Sequence, residues 1–274
     1  MLQHNISIKK SYLHSFHIVN PSPWPLIVGF SVLFIVFGLT MHMHNFKGGL
    51  SLFFIGLLTT VINVSFWWRD VIREGTYEGQ HTTAVQDGLR FGIILFIVSE
   101  IRLFFAFFWA YFHASLNPTP SLGAVWPPKG IDAINPWIIP LLNTGLLLTS
   151  GAALTWSHAA LIGGYRMESI TSIIITLILA VIFTLFQLFE YTTASFTISD
   201  GAYGSTFYML TGLHGIHVIV GTIFLCVAFY RIIQHHFVQT VHIGYEAAAW
   251  YWHFVDVVWI RLFLIVYVWG GSLN

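Results

Sequence analysis

Charge is what this chain has least of. Lysine, arginine, aspartate and glutamate make up 8% of its 274 residues, against about 25% in an ordinary soluble domain. With 56% hydrophobic residues, the composition is that of a membrane protein. The formal net charge is zero, which removes the basic surface a nucleic-acid partner would need. A single cysteine, Cys226, lies in an apolar stretch, so disulfide frameworks and cysteine metal clusters are excluded. No internal repeat stands out, and no midplane helix is broken as in many transporters. The N-terminal stretch holds Lys9 and Lys10 but no arginine, and no apolar core followed by a small-residue cleavage site. It is expected to be neither a secretory signal nor a transit peptide.

What is present is a series of apolar runs, each near the length of about 20 residues that crosses the hydrocarbon core. Seven are predicted, near 26–43, 50–68, 91–112, 138–161, 170–189, 207–233 and 247–268. Helices are the open elements that satisfy every backbone group inside lipid, so the expected fold is an all-α polytopic membrane protein. The expected organisation is an N-terminal segment, 1–24, ahead of a transmembrane domain, 25–270. In it, helices 1–2 cover about 26–68 and helices 3–7 about 91–268. The linker at 47–49 allows little more than a tight hairpin, so the first two spans should pair. Lys9, Lys10, Arg69, Arg73, Arg90, Arg166 and Arg231 fall on one side, Lys47 and Lys129 on the other. The positive-inside rule then puts the N-terminus on the cytoplasm-equivalent side, a mitochondrion's matrix, and the C-terminus opposite. Tryptophans at span ends (Trp24, Trp67, Trp68, Trp126 and Trp137) fit an interfacial aromatic belt.

The most informative residue is Glu100, near the middle of the third run. Ionisable groups at that depth face protein or water and mark a pathway, a partner or a bound polar group. The plainer alternative is a carboxyl that only bonds a neighbouring helix. The polar segment 67–92 carries Arg69 and Arg73, which share a helix face at four residues apart. Arg90 opens span three where lipid phosphates would lie, and guanidinium groups bind phosphate bidentately. Against this, the arginines of the segment could simply pair with Asp70, Glu74, Glu78 and Asp87. Fourteen histidines suggest haem or copper, and His214 and His217 share one helix face. No second pair at matching depth is evident, however, and histidines that bond across packed helices are commoner than metal ligands in such segments. In the last span His253 and Asp256 are three apart and can bond each other, as a proton relay or a structural polar cluster.

Nine stretches carry a resemblance that runs along almost the whole chain beyond residue 15: HIVNPSPWP, WWRDVIREGTYEGQHT, ILFIVSE, FFWAYFHASL, WPPKGI, PLLNT, TISDGAYGSTFY, TGLHGIHVIVG and YEAAAWYWHFVDVVW. In order and at these spans they resemble subunit III of the haem–copper oxidases, specifically the mitochondrial type of cytochrome c oxidase. The resemblance implies seven helices, with helices 1–2 separated from helices 3–7 by a V-shaped cleft filled with phospholipid. It implies no haem or copper in this chain: haem a, haem a3 and copper sit in subunits I and II, its expected partners alongside accessory subunits and membrane lipids. Subunit III would pack on subunit I, protect turnover and support proton uptake in the mitochondrial inner membrane. Matched residue by residue, Arg73, Glu74, His81, Arg90 and Glu100 fall on positions lining or guarding the lipid cleft. Arg231 and His236 fall on positions associated with a cardiolipin-type head group. Gln234 stands where the family often has a lysine, which weakens that site.

Arg102 and Arg261 depart from the family, which has large apolar residues there. Successive helix positions rotate by about 100°, so Arg102 points away from Glu100; at about 18 Å depth it needs a carboxylate, carbonyl or phosphate of its own. Arg261 is nearer the opposite interface and within snorkelling reach. A decoding or transcript-editing difference at these two positions is the alternative. Three rival readings stay open: the same subunit in a quinol oxidase, an independent seven-span transporter or proton channel built on Glu100, His253 and Asp256, and a haem-binding cytochrome.

Overall fold

The computed structural model describes residues 14–120 and 123–271. Lys9 and Lys10, with most of the 1–24 segment, lie outside the described residues. Among those described, seven helices are long and apolar enough to cross a membrane: α1 (Trp24–Met43), α2 (Gly49–Thr76), α3 (Thr83–Leu116), α4 (Ile139–Gly163), α5 (Arg166–Thr193), α6 (Gly201–Ile233) and α7 (Ile243–Leu262), the last prolonged by a π-helical turn, Phe263–Trp269. The chain is an all-α, multi-pass membrane protein. Several helices overrun the apolar windows. α2 continues to Thr76 and α3 starts at Thr83, because helical hydrogen bonding persists past the point where hydropathy falls. Hydropathy marks the bilayer, not the helix end.

The chain divides into two compact units, one up to Leu89 and one from Arg90 on. In the first, α1 and α2 form the expected hairpin. Its turn needs the left-handed conformation at Gly48, where φ is 85°. The two helices approach to backbone contact along small residues. A Cβ on Gly38 would strike the backbone of Phe53, and one on Gly56 would lie 2.7 Å from the Ile35 nitrogen. Close approach through small residues drives helix pairing where lipid removes the hydrophobic force. Across the open end, Trp24 Nε1 donates to Asp70 Oδ2 at 2.7 Å.

The second unit is built round α7, whose buried Trp252 and Trp259 are its largest side chains with no exposed surface to speak of. Both indole N–H groups are satisfied on α4: Trp252 Nε1 donates to Ser150 Oγ and Trp259 Nε1 to Thr144 Oγ1, each at 3.0 Å. α4 accepts these large rings because its inner face is small, with Ser150, Gly151, Ala153, Ser157 and Ala160 all buried. The same face bonds α5, Ser157 Oγ donating to the Ser169 carbonyl at 2.8 Å. Buried hydroxyls thus replace water for groups that lipid could not satisfy. By contrast α1, α2 and α3 keep many large apolar side chains exposed, among them Phe54, Leu58, Phe96 and Phe105. In a membrane protein such faces meet lipid or other subunits.

Candidate functional site

Glu100 projects from α3 onto α6. Its Oε2 lies 2.7 Å from His217 Nε2, and His217 Nδ1 lies 2.8 Å from the Leu213 carbonyl. A carbonyl can only accept, so Nδ1 carries a hydrogen. Nε2 must then either accept from a protonated Glu100 or donate to an ionised one. Both arrangements contain one shared proton and no net charge, which removes most of the cost of placing these groups in a span. Phe104 covers the imidazole at a ring separation of 4.9 Å. His214, three residues earlier, turns instead to the α7 backbone, with Nε2 3.1 Å from the Val255 carbonyl. The two histidines of TGLHGIHVIVG therefore bond across spans, one to α3 and one to α7. Arg102 takes no part; it lies on the exposed face of α3, as the helical rotation requires.

Arg90 has a partner that reading the loop alone did not offer. Its Nε donates to Glu246 Oε2 at 2.9 Å and its Nη2 to Oε1 at 3.3 Å. The carboxylates weighed for it were neighbours in sequence, whereas Glu246 opens α7. The guanidinium remains partly open, with 34% of the side chain exposed.

Arg231 and His236 come together where α6 ends. The Arg231 guanidinium sits 4.2 Å over the Phe237 ring, and the His236 amide donates to the Arg231 carbonyl at 3.0 Å. Burial, and then the neighbouring Arg231 charge, hold the His236 pKa below the ordinary imidazole value. Nearby, Arg166 donates to the Ile232 and Ile233 carbonyls at 3.1 Å and 2.5 Å. The basic residue counted for orientation is thus also the cap of α6.

Arg73, Glu74 and His81 belong to the first unit. Arg73 is exposed on the last turns of α2, on which Glu74 is half-buried. His81 folds back over that helix, its ring filling the space that a Cβ on Gly75 would occupy. Arg69 spends its charge on Asp70, Nη2 to Oδ1 at 2.8 Å.

Two polar clusters complete the second unit. His253 Nδ1 stands 3.6 Å from Asp256 Oδ2, and His253 Nε2 stands 3.4 Å from Thr155 Oγ1. This pair faces α4, whereas Glu100 faces α6, so the three groups of the channel reading engage different helices. The second cluster was missed in sequence: Glu190 is buried on α5 and accepts from Tyr267 at 2.6 Å and from Gln187 at 3.0 Å. Its signal was a lone carboxyl closing the apolar run FQLFEYTT. Arg261 borders an apolar groove of about 560 Å³ that also holds Trp109, Phe112, His113 and Asn117. That is the α3 C-terminal end, consistent with an arginine reaching an interface.

Fold and site together define a seven-helix membrane subunit whose intramembrane polar groups pair with one another across helices. Comparison with known proteins takes this further. The family model described as cytochrome c oxidase subunit III matches residues 14–271. The chain is 59% identical to the cytochrome c oxidase subunit 3 of Prototheca wickerhamii, over 94% of this chain and 99% of the relative. It is 55% identical to that of Cyanidium caldarium, over 97% and 99%. With that of Mammuthus primigenius it shares 54% identity over 94% and 98%. The chain belongs to the cytochrome c oxidase subunit III family. It is accordingly an accessory, non-redox subunit of the oxidase complex, whose haem and copper belong to other subunits.

Proposed function

We propose that this chain stabilises subunit I of a mitochondrial cytochrome c oxidase, beside subunit II and accessory subunits, and holds structural phospholipids there. The observation that carries the reading is the family match along nearly the full chain. The uncovered apolar faces of α1–α3 support it, since they require lipid or protein neighbours. The lipids would fill a V-shaped cleft between helices 1–2 and helices 3–7, with Arg73, Glu74, His81, Arg90 and Glu100 lining or guarding it. A cardiolipin-type head group would be taken by Arg231 and His236, beside each other at the end of α6. Residues 1–24 and that end of the helices would face the matrix, ahead of a 25–270 transmembrane domain, and the C-terminus would face the intermembrane space.

Affinity purification of this chain from mild-detergent extracts of its membrane tests the assignment. Copurification with haem a, copper and subunits I and II is expected. Recovery of the chain without haem a would overturn it. Phospholipid analysis of the same preparation, with Arg73 or Arg231 replaced by glutamine, tests the lipid sites. Unchanged lipid content in both variants would remove them.

A further inference from the structure

We infer that His158, His242 and Glu246 form a binding site for a borderline divalent cation of the zinc type. The three donor atoms, two imidazole nitrogens and a carboxylate oxygen, lie within 4.8 Å of one another. They come from the C-terminal part of α4, the loop before α7 and the first turn of α7. Two histidines and one carboxylate are a donor set that zinc takes, with a fourth position left for water. Reading the sequence placed no metal here, because these residues look unrelated until α4 and α7 are packed together.

The hydrogen bonding around the cluster is what points to a cation. His242 Nδ1 lies 3.1 Å from the Val238 carbonyl, so this nitrogen carries a hydrogen, and in the neutral imidazole Nε2 presents a lone pair. That lone pair faces Glu246 Oε1 at 3.4 Å. Arg90 Nη2 donates to the same oxygen at 3.3 Å, and the remaining space between the two acceptors suits a proton or a cation. With metal bonds of about 2.0–2.2 Å, neighbouring ligands of a tetrahedral site stand about 3.4 Å apart, so this edge is already set. His158 adds a third donor. Its ring meets the His242 ring edge-on at 5.2 Å and stacks on Tyr245 at 5.4 Å, and its Nε2 is buried without a hydrogen-bond partner. The supporting contacts are those of a metal site: a carbonyl orients His242, and Arg90 bonds and orients the ligating carboxylate. A bound cation would tie the end of α4 to the start of α7. Because zinc has no redox chemistry, the site adds no electron-transfer role to the subunit.

The competing account is a proton alone, shared between His242 and Glu246. To separate the two, the intact oxidase containing this chain is equilibrated with Zn²⁺, freed of excess metal, and its zinc counted against haem a. The native complex and a His44→Gln control should retain one equivalent more than His158→Gln or His242→Gln complexes. Equal zinc in all four, or the same loss in the control, would overturn the site. Should either variant fail to assemble, anomalous diffraction from the zinc-treated native complex decides. A peak among the three side chains supports the site, and none there refutes it.

Discussion

Glu100 on α3 and His217 on α6 are joined by a 2.7 Å hydrogen bond whose proton has no other acceptor to serve, since His217 Nδ1 is committed to the Leu213 carbonyl. The pair is electrically neutral as a unit wherever that proton sits. An intramembrane carboxyl that alone would be costly becomes a latch between two helices.

Glu100→Gln should therefore be mild. The amide can donate to His217 Nε2 once the imidazole is neutral, and initial oxygen consumption should stay near the native rate. Glu100→Ala leaves a mostly buried ring nitrogen without a partner, a loss of about 1–3 kcal/mol. It should lower the thermal midpoint of the complex and shorten its active lifetime during turnover. Abolition of the first turnovers by Glu100→Gln would make the residue an obligatory proton carrier and defeat the latch.

Arg90 has two tasks under the proposed function, and paired substitutions separate them. Arg90→Ala and Glu246→Gln both break the ion pair to α7 and should lower stability to a similar degree. Only Arg90→Ala should also release phospholipid, measured by mass spectrometry of the purified complex. Equal lipid loss in both would mean that the ion pair, not a phosphate contact, retains the lipid.

Much of this architecture was legible in residue order. Seven apolar runs set the spans, and the short linker before Gly49 set the α1–α2 hairpin, because few loop residues leave few geometries. Glu100 stood out because the penalty for charge in lipid is large enough to read from one letter. Partners were not legible. Glu246 lies far along the chain from Arg90, and His217 from Glu100, and nothing in local periodicity reports which helix faces which. Glu190 escaped notice because a carboxyl at the end of an apolar run looks like an interface residue until Tyr267 is packed onto it. The His158, His242 and Glu246 cluster escaped for the same reason.

Small residues between α1 and α2 should be intolerant of size. Gly56→Val places methyl groups against the backbone of α1 at Ile35, where nothing flexible can yield. Overpacking of this kind costs about 1–3 kcal/mol. Assembly yield should fall for Gly56→Val, while Gly29→Val, whose Cβ would meet open space, assembles normally. Equal yields would show that the hairpin is not held by close approach.

Arg166 should matter more for α6 than for orientation in the membrane. Its guanidinium satisfies carbonyls at the last turn of that helix. Removing it as Arg166→Ala should cost roughly 1–2 kcal/mol, discounted for partial exposure. Hydrogen exchange should speed up at Tyr230–Ile233, with Arg166→Lys intermediate. Unchanged exchange there would leave Arg166 a surface charge only.

His236 provides the pH test of the Arg231 site. Its folded pKa lies below the usual imidazole value of about 6.5, through burial and then the Arg231 charge. The unfolded chain therefore takes up a proton before the folded one does. The stability this group contributes is present above about pH 6.5 and is lost as pH falls toward the folded pKa. An anionic head group reverses the electrostatics, because a phosphate favours the imidazolium beside it. Lipid binding at this site should then take up a proton and tighten several-fold between about pH 8 and pH 6. Titrating delipidated complex with an anionic phospholipid at both pH values measures this. Arg231→Gln should weaken binding at either pH, and His236→Gln should flatten the difference between them. If His236→Gln keeps the native pH slope, the head group is not held at this histidine.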